Sequence, residues 1–191
     1  PNEKIRALVE EFQRGTDGAA AAFSEIYNIY YDQVFGYIYK RTCGDRFLAE
    51  DLTSQAFLNA LTSMGGFTWR DKDIGAWLFT ISRNLIIGHQ RKTSTRLETP
   101  TDNTFEGDAQ QNWDLDPEKL TLEHLLDTNL LHAIKQLTPE QQDCITLRFL
   151  HDKTVEETAK IMGKSYDQIK ASQYRAIKQL RKLLREDFGS Q

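Results

Sequence analysis

Apolar residues recur along this chain at intervals of three and four, the spacing of helices that bury one stripe. Phe23, Ile26, Tyr27, Tyr30, Val34, Tyr37 and Ile38 predict a long amphipathic helix over about 19–42. Asp45 can cap a second one through "RFLAEDLTSQAFLNALTSM". After "GGFTWRDKD" comes a third, with Ile74, Trp77, Leu78, Ile81 and Leu85 on one face and Arg83, Asn84, Arg91 and Lys92 on the other. Gly88 interrupts that helix, at a cost of about 1 kcal/mol relative to alanine. Leu126, Leu130, Ile134 and Leu137 supply a fourth amphipathic stretch.

The second half of the chain marks its helix starts with capping boxes. Thr138 and Gln141 form one, with Pro139 at the favoured first helical position. Thr154 and Glu157 form another, ahead of Val155, Ala159 and Met162, and Gly163 stands where a C-cap glycine belongs. Ser165 and Gln168 form the third. A short helix, a tight turn at "GKS" and a longer helix make a helix-turn-helix. Counting about 100° per residue from Ile169, the residues Ala176, Ile177, Leu180, Leu183 and Leu184 share its apolar stripe. Lys170, Ala171, Tyr174, Arg175, Lys178, Arg181, Lys182 and Arg185 lie on the other side, and Gln173 sits on the core stripe. The expected architecture is all-α. A first domain spans 17–95 and a second, of four helices, spans 122–188 and ends in a recognition helix. A basic face of this kind also suits a merely solvated helix, or a helical bundle that touches no nucleic acid.

Charge sharpens the division. The chain is acidic, with a net charge of −4 over 191 residues. Yet residues 162–185 hold seven bases against the single acid Asp167. The acid is concentrated in 96–118, where seven acidic residues meet only Arg96, with two prolines and almost no apolar periodicity. That segment reads as a flexible acidic linker over 96–121 between two small domains, which leaves the functional faces free to be basic. Two domains on such a linker are expected to have no fixed mutual orientation, so that the free chain is monomeric and extended.

No stretch approaches the roughly 20 apolar residues of a membrane span, so no membrane insertion is expected and the expected location is cytoplasmic. The first residues, "PNEKIRALVEEF", are charged and hold no signal-peptide core, and a start at Pro1 without Met fits a trimmed chain. Residues 1–16 stand apart as an N-terminal extension. Cys43 and Cys144 are far apart in no metal-ligand spacing, which suits two reduced structural thiols. There is no nucleophile–base motif, phosphate-binding loop or metal cluster, so no catalysis, metal or cofactor is expected. Basic and aromatic residues mixed on the third helix suit single-stranded DNA, whose bases stack on rings while cations meet phosphates. Trp77, at helical spacing, belongs to the core, which makes Trp69 in the preceding loop the better exposed aromatic.

The segments "AEDLTSQAFLNAL", "GAWLFTISRNLIIGHQRK" and "LTPEQQDCITLRFLHDKTVEETAKIMGKSYDQIKASQYRAIKQLRKLL", in that order around an acidic linker, resemble a bacterial RNA polymerase sigma factor of the extracytoplasmic-function group. Such proteins keep sigma regions 2 and 4, matched here by about 17–95 and 122–186. The resemblance implies a transcription initiation factor that binds core RNA polymerase, at the clamp helices of the largest subunit and at the flap region, and recognises promoter DNA. Asp51, with Ser54 and Gln55 where the family often has Gln-Glu, would contact polymerase. Trp69, Arg83, Asn84 and Arg91 would read the melted −10 element and hold a flipped base. Lys170, Ala171, Tyr174 and Arg175 would enter the major groove at −35, with Lys178, Arg181 and Lys182 on phosphates. The acidic linker would mimic RNA in the exit channel. An anti-sigma factor, helical and membrane-linked, is the implied inhibitor. The competing reading is a helix-turn-helix regulator that binds duplex DNA without polymerase.

Overall fold

The computed structural model describes residues 2–69, 73–98 and 130–188. Among these, all regular structure is helical: α1 (Asn2–Gln13), α2 (Ala19–Arg41), α3 (Arg46–Ser63), a 3-10 turn (Met64–Gly66) and α4 (Ile74–Glu98). A helical stretch over 130–135 follows. Then come α5 (Pro139–Ile145), which runs directly into five residues of π-helix (Thr146–Leu150), α6 (Val155–Met162) and α7 (Tyr166–Phe188). The expected linker, apart from 96–98 at the end of α4, and the expected helix position Leu126 lie outside the described residues.

In the first domain α2, α3 and α4 close on a core that includes Ile26, Val34 and Tyr37 of α2, Leu52 and Phe57 of α3, and Ile74, Leu78 and Phe79 of α4. The Asp45 carboxylate accepts from the Leu48 amide at 3.0 Å and starts α3 as expected. Asp73 does the same for α4, accepting from the Ala76 amide at 2.6 Å. The chain turns between α2 and α3 through two left-handed residues, Cys43 (φ 57°) and Gly44 (φ 85°). Glycine takes that conformation without strain, and Cys43 does not. α4 continues through Gly88 to Glu98, and a side chain at 88 would meet nothing within 4 Å.

Two expectations need correction. Residues 1–16 are not a separate extension, because α1 lays Ile5 and Val9 into the same core, and the Phe12 and Phe23 rings meet at 5.7 Å. The two domains are also not independently oriented. The apolar cluster of the first domain continues into Cys144, Leu147, Ala159, Ile161, Met162 and Ile169 of the second. A separate, smaller cluster of Ala133, Ile134, Leu137, Ile145, Ala176 and Leu180 finishes the second domain. The physical reason is a face of α2 and α4 whose aromatic and charged groups find partners on α5, the π-helix and the turn after it. Both cysteines are free, with Cys43 half-buried and Cys144 buried.

Candidate nucleic-acid interface

The helix-turn-helix forms from its caps outward. Thr154 and Glu157 close a reciprocal capping box at the start of α6. Gly163 ends that helix in the left-handed region (φ 65°, ψ 38°), and the Lys164 amide donates back to the Ala159 carbonyl at 3.0 Å. Ser165 and Gln168 then exchange bonds of 3.2 and 2.9 Å to start α7. On α7, Ile169, Ser172, Ala176 and Leu180 are buried. Lys170, Ala171, Tyr174, Arg175 and Lys178 are all exposed, Tyr174 to 70%. The structure therefore brings the sequence-derived major-groove residues together on one outward face. Further along, Tyr174, Ile177, Lys178, Arg181, Lys182 and Arg185 line a shallow groove of about 730 Å³. Gln173 is tucked in, accepting from Arg148 Nε at 3.1 Å.

The first domain presents a second outward face, on α3. Asp51, Ser54 and Gln55 are exposed. Ser54 donates to the Glu50 carbonyl and Gln55 to Asn59 Oδ1, each at 2.9 Å. Sequence reasoning missed their neighbours. Phe47 (85% exposed), Leu58 (54%) and Leu61 (41%) share that side of the helix, at the spacing 47, 51, 54, 58, 61 of a single stripe. Apolar periodicity shows that α3 carries apolar residues on two sides, but not which side stays open.

The residues expected at −10 DNA do not converge. Asn84 and Arg91 are exposed. Trp69 is half-buried: its ring meets Phe67 edge-on at 5.2 Å, and Phe67 in turn meets Trp77 at 5.1 Å. Gln13 of α1 holds that turn by donating to the Met64 and Phe67 carbonyls at 3.0 and 2.8 Å. Arg83 points into the other domain, its Nε 2.7 Å from Asp143 Oδ2. In this arrangement Arg83 is committed to a carboxylate and not open to DNA.

Asp143 is the hub of the domain contact. Its Oδ1 also accepts from Arg41 Nε at 2.5 Å and from the Tyr37 hydroxyl at 3.2 Å. Arg41 donates as well to Gln142, which in turn donates to the Lys135 and Leu137 carbonyls at 3.0 and 2.9 Å. Burial first, then the Asp143 charge, pushes the Tyr37 hydroxyl well above its ordinary value, so it stays a donor. Beside this cluster the His151 ring stands edge-on to Tyr37 and Phe79, at 5.9 and 5.5 Å. Lys153 Nζ lies 5.0 Å from the centre of the Phe79 ring.

Burial, then the nearby Lys40 and Lys153 charges, hold His151 down at about 4, against a hydrogen bond with the Gly36 backbone and the Asp152 charge. Between about pH 6.5 and 4 the unfolded chain therefore binds a proton that the folded chain refuses. The contribution of His151 is complete above 6.5 and is lost as the pH falls through that window. In urea melts, any stability advantage of the wild type over His151→Gln should narrow between pH 7.5 and pH 5. An advantage that stays constant would show that the ring is not held neutral.

Comparison with known proteins matches residues 26–96 to the family Sigma-70 region 2, and residues 133–182 to Sigma-70, region 4. The chain is similar to the ECF RNA polymerase sigma factor BldN of Streptomyces coelicolor, with 43% identity over 94% of this chain and 67% of that protein. It is similar also to the ECF RNA polymerase sigma factor SigX of Bacillus subtilis, with 31% identity over 87% of each. Among solved structures, the fold resembles that of the sigma factor RpoE, crystallised with the anti-sigma factor NepR from Bartonella quintana. There the TM-score is 0.65 and the identity 22%, over 85% of this chain and 96% of that one.

Proposed function

The chain belongs to the extracytoplasmic-function group of bacterial RNA polymerase sigma factors, and on that premise we propose which of its residues do the work. It is a transcription initiation factor and not an enzyme: it binds core RNA polymerase and directs it to promoters. Lys170, Ala171, Tyr174 and Arg175 enter the major groove at −35, and Lys178 meets phosphate. The observation that carries this is the outward face of α7, where all five are exposed over a buried stripe of Ile169, Ser172, Ala176 and Leu180. Lys170 Nζ rests 5.4 Å from the Tyr166 ring centre, which limits its freedom before binding.

Polymerase docks on α3 through Asp51, Ser54 and Gln55. The exposed apolar stripe of Phe47, Leu58 and Leu61 supports this, because a monomer has little reason to leave such a stripe uncovered. Asn84 and Arg91 face melted −10 DNA, with Arg83 joining once its ion pair is released, and Trp69 once its ring leaves Phe67. An anti-sigma factor covers the α3 stripe in the inhibited state. The protein acts on the cytoplasmic polymerase and is itself cytoplasmic. No described helix is long and apolar enough to cross a membrane.

Run-off transcription with purified core polymerase on a promoter-bearing template tests the reading. The wild-type chain gives a defined start. Leu58→Glu weakens polymerase binding on the order of 2 kcal/mol, as loss of an apolar anchor does. Wild-type chain that leaves core polymerase without a start site would end the assignment of function. Equal polymerase affinity of wild type and Leu58→Glu would end only the assignment of the α3 stripe.

A further inference from the structure

Asp143 lies on α5 of the second domain, and both guanidiniums on it come from the first. Arg41 approaches one carboxylate oxygen at 2.5 Å and Arg83 the other at 2.7 Å. The Arg41 and Asp143 side chains are 0% and 1% exposed, and that of Arg83 is 18% exposed. Two cations share one anion, so the ion cluster holds one positive charge in excess. Arg41 Nη2 is buried and has no partner among the described residues. Such a cluster is a poor adhesive, since apolar side chains of similar volume do as well or better at holding two surfaces together. Paired guanidiniums have another use: their forked donors match phosphate as well as carboxylate.

Location supports that use. Arg83 precedes Asn84 on α4, the helix proposed to face the melted strand. Among the described residues the bonds of Arg41 Nε and Nη1 run to Asp143 and Gln142, both in the second domain, so parting the domains frees those donors. Neighbouring residues of the first domain are held by the second as well: Lys40 Nζ donates to the Leu150 carbonyl at 3.4 Å, and His151 packs on Tyr37 and Phe79. The α3 stripe meanwhile stays exposed, so polymerase can dock on the closed chain.

We propose that Arg41 and Arg83 form a binding site for a backbone phosphate of promoter DNA, which Asp143 occupies in the closed chain as an internal competitor. The carboxylate keeps the free protein off DNA. Polymerase, by binding the two domains apart, exchanges Asp143 for a phosphate. This rests on the sigma-factor reading above. DNA affinity of the free chain is then reduced by the fraction of molecules that are open.

The test compares wild type, Asp143→Asn, His151→Glu, and Asp143→Asn combined with Arg41→Met. Small-angle scattering reads the separation of the domains. Fluorescence anisotropy with a short labelled single-stranded oligonucleotide reads DNA binding by the free chain. Asp143→Asn removes the competing charge with little change of shape. His151→Glu opens the contact independently, by forcing a carboxylate between Tyr37 and Phe79, and decides the matter if helicity shows that Asp143→Asn has not folded.

Expected are an expanded chain and about tenfold or more tighter DNA binding in either opened variant, with the gain cancelled by Arg41→Met. The proposal is overturned if neither variant expands the chain, if an expanded chain binds DNA no better, or if the gain survives Arg41→Met. Run-off transcription by wild-type holoenzyme reports separately on the sigma-factor reading, and Asp143→Asn should retain it.

Discussion

Holoenzyme carrying Arg175→Ala should bind a −35-dependent promoter more weakly by about 1–3 kcal/mol, roughly 5- to 150-fold, if the guanidinium is bidentate to a base edge. Arg175 sits two turns into α7, exposed, one residue from buried Ala176. Its removal therefore leaves the helix packing intact, and the weakening reads on DNA and not on stability. Lys178→Ala belongs to the same experiment with a different signature. An ammonium that neutralises a phosphate strengthens binding to all sequences alike, so its removal reduces the slope of log K against log salt by about 0.9. Anisotropy titrations of both holoenzymes at several salt concentrations separate the two roles. If Arg175→Ala binds as the wild type does, the groove face of α7 is wrongly assigned.

That face was legible in the sequence because everything that makes it is local. Each capping box joins residues three apart, and the Thr138, Thr154 and Ser165 boxes all form. A stripe spaced at three and four survives any tertiary arrangement that buries one side. α3 is harder to read. Ala49, Leu52, Ala56, Phe57 and Ala60 are buried while Phe47, Leu58 and Leu61 are not, and periodicity alone cannot say which apolar side the protein keeps for itself.

The Asp143 cluster was illegible for a stronger reason. In "EQQDCITLRFL" it is one polar residue at a helix start, and its partners Arg41 and Arg83 stand 102 and 60 positions away. Only the docked fold gives it a role. The same docking accounts for the ion pair of Arg83 with Asp143, a contact that its place on the polar side of α4 could not reveal. Trp69 follows a similar logic on a smaller scale. Charged neighbours suggest exposure, but the Phe67 ring two residues earlier offers a better surface than water.

Val9→Asp should be the most damaging single change outside the DNA-binding face, costing about 3–5 kcal/mol, the range for a charge left buried without a partner. A total stability of roughly 5–15 kcal/mol makes that a large share of the whole. Val9 is fully buried among the residues that α1 contributes to the first domain, with Ile5, Leu8 and Phe12 beside it. The surface ion pair of Lys4 and Glu25, at 2.5 Å, cannot compensate, since exposed pairs contribute little. The consequence also reaches function. Gln13, one turn beyond Val9, holds the Met64 and Phe67 carbonyls, and Trp69 rests on Phe67. Loss of α1 therefore loosens the turn that carries an aromatic proposed for −10 DNA. Urea melts of Val9→Asp, and of a chain lacking residues 1–16, should both show the first domain strongly destabilised. Permanganate reactivity of −10 thymines should fall for holoenzyme made with Gln13→Ala even where its melt is close to that of the wild type. A chain without residues 1–16 that melts like the full one would show that α1 is an attachment to the first domain and not part of its core.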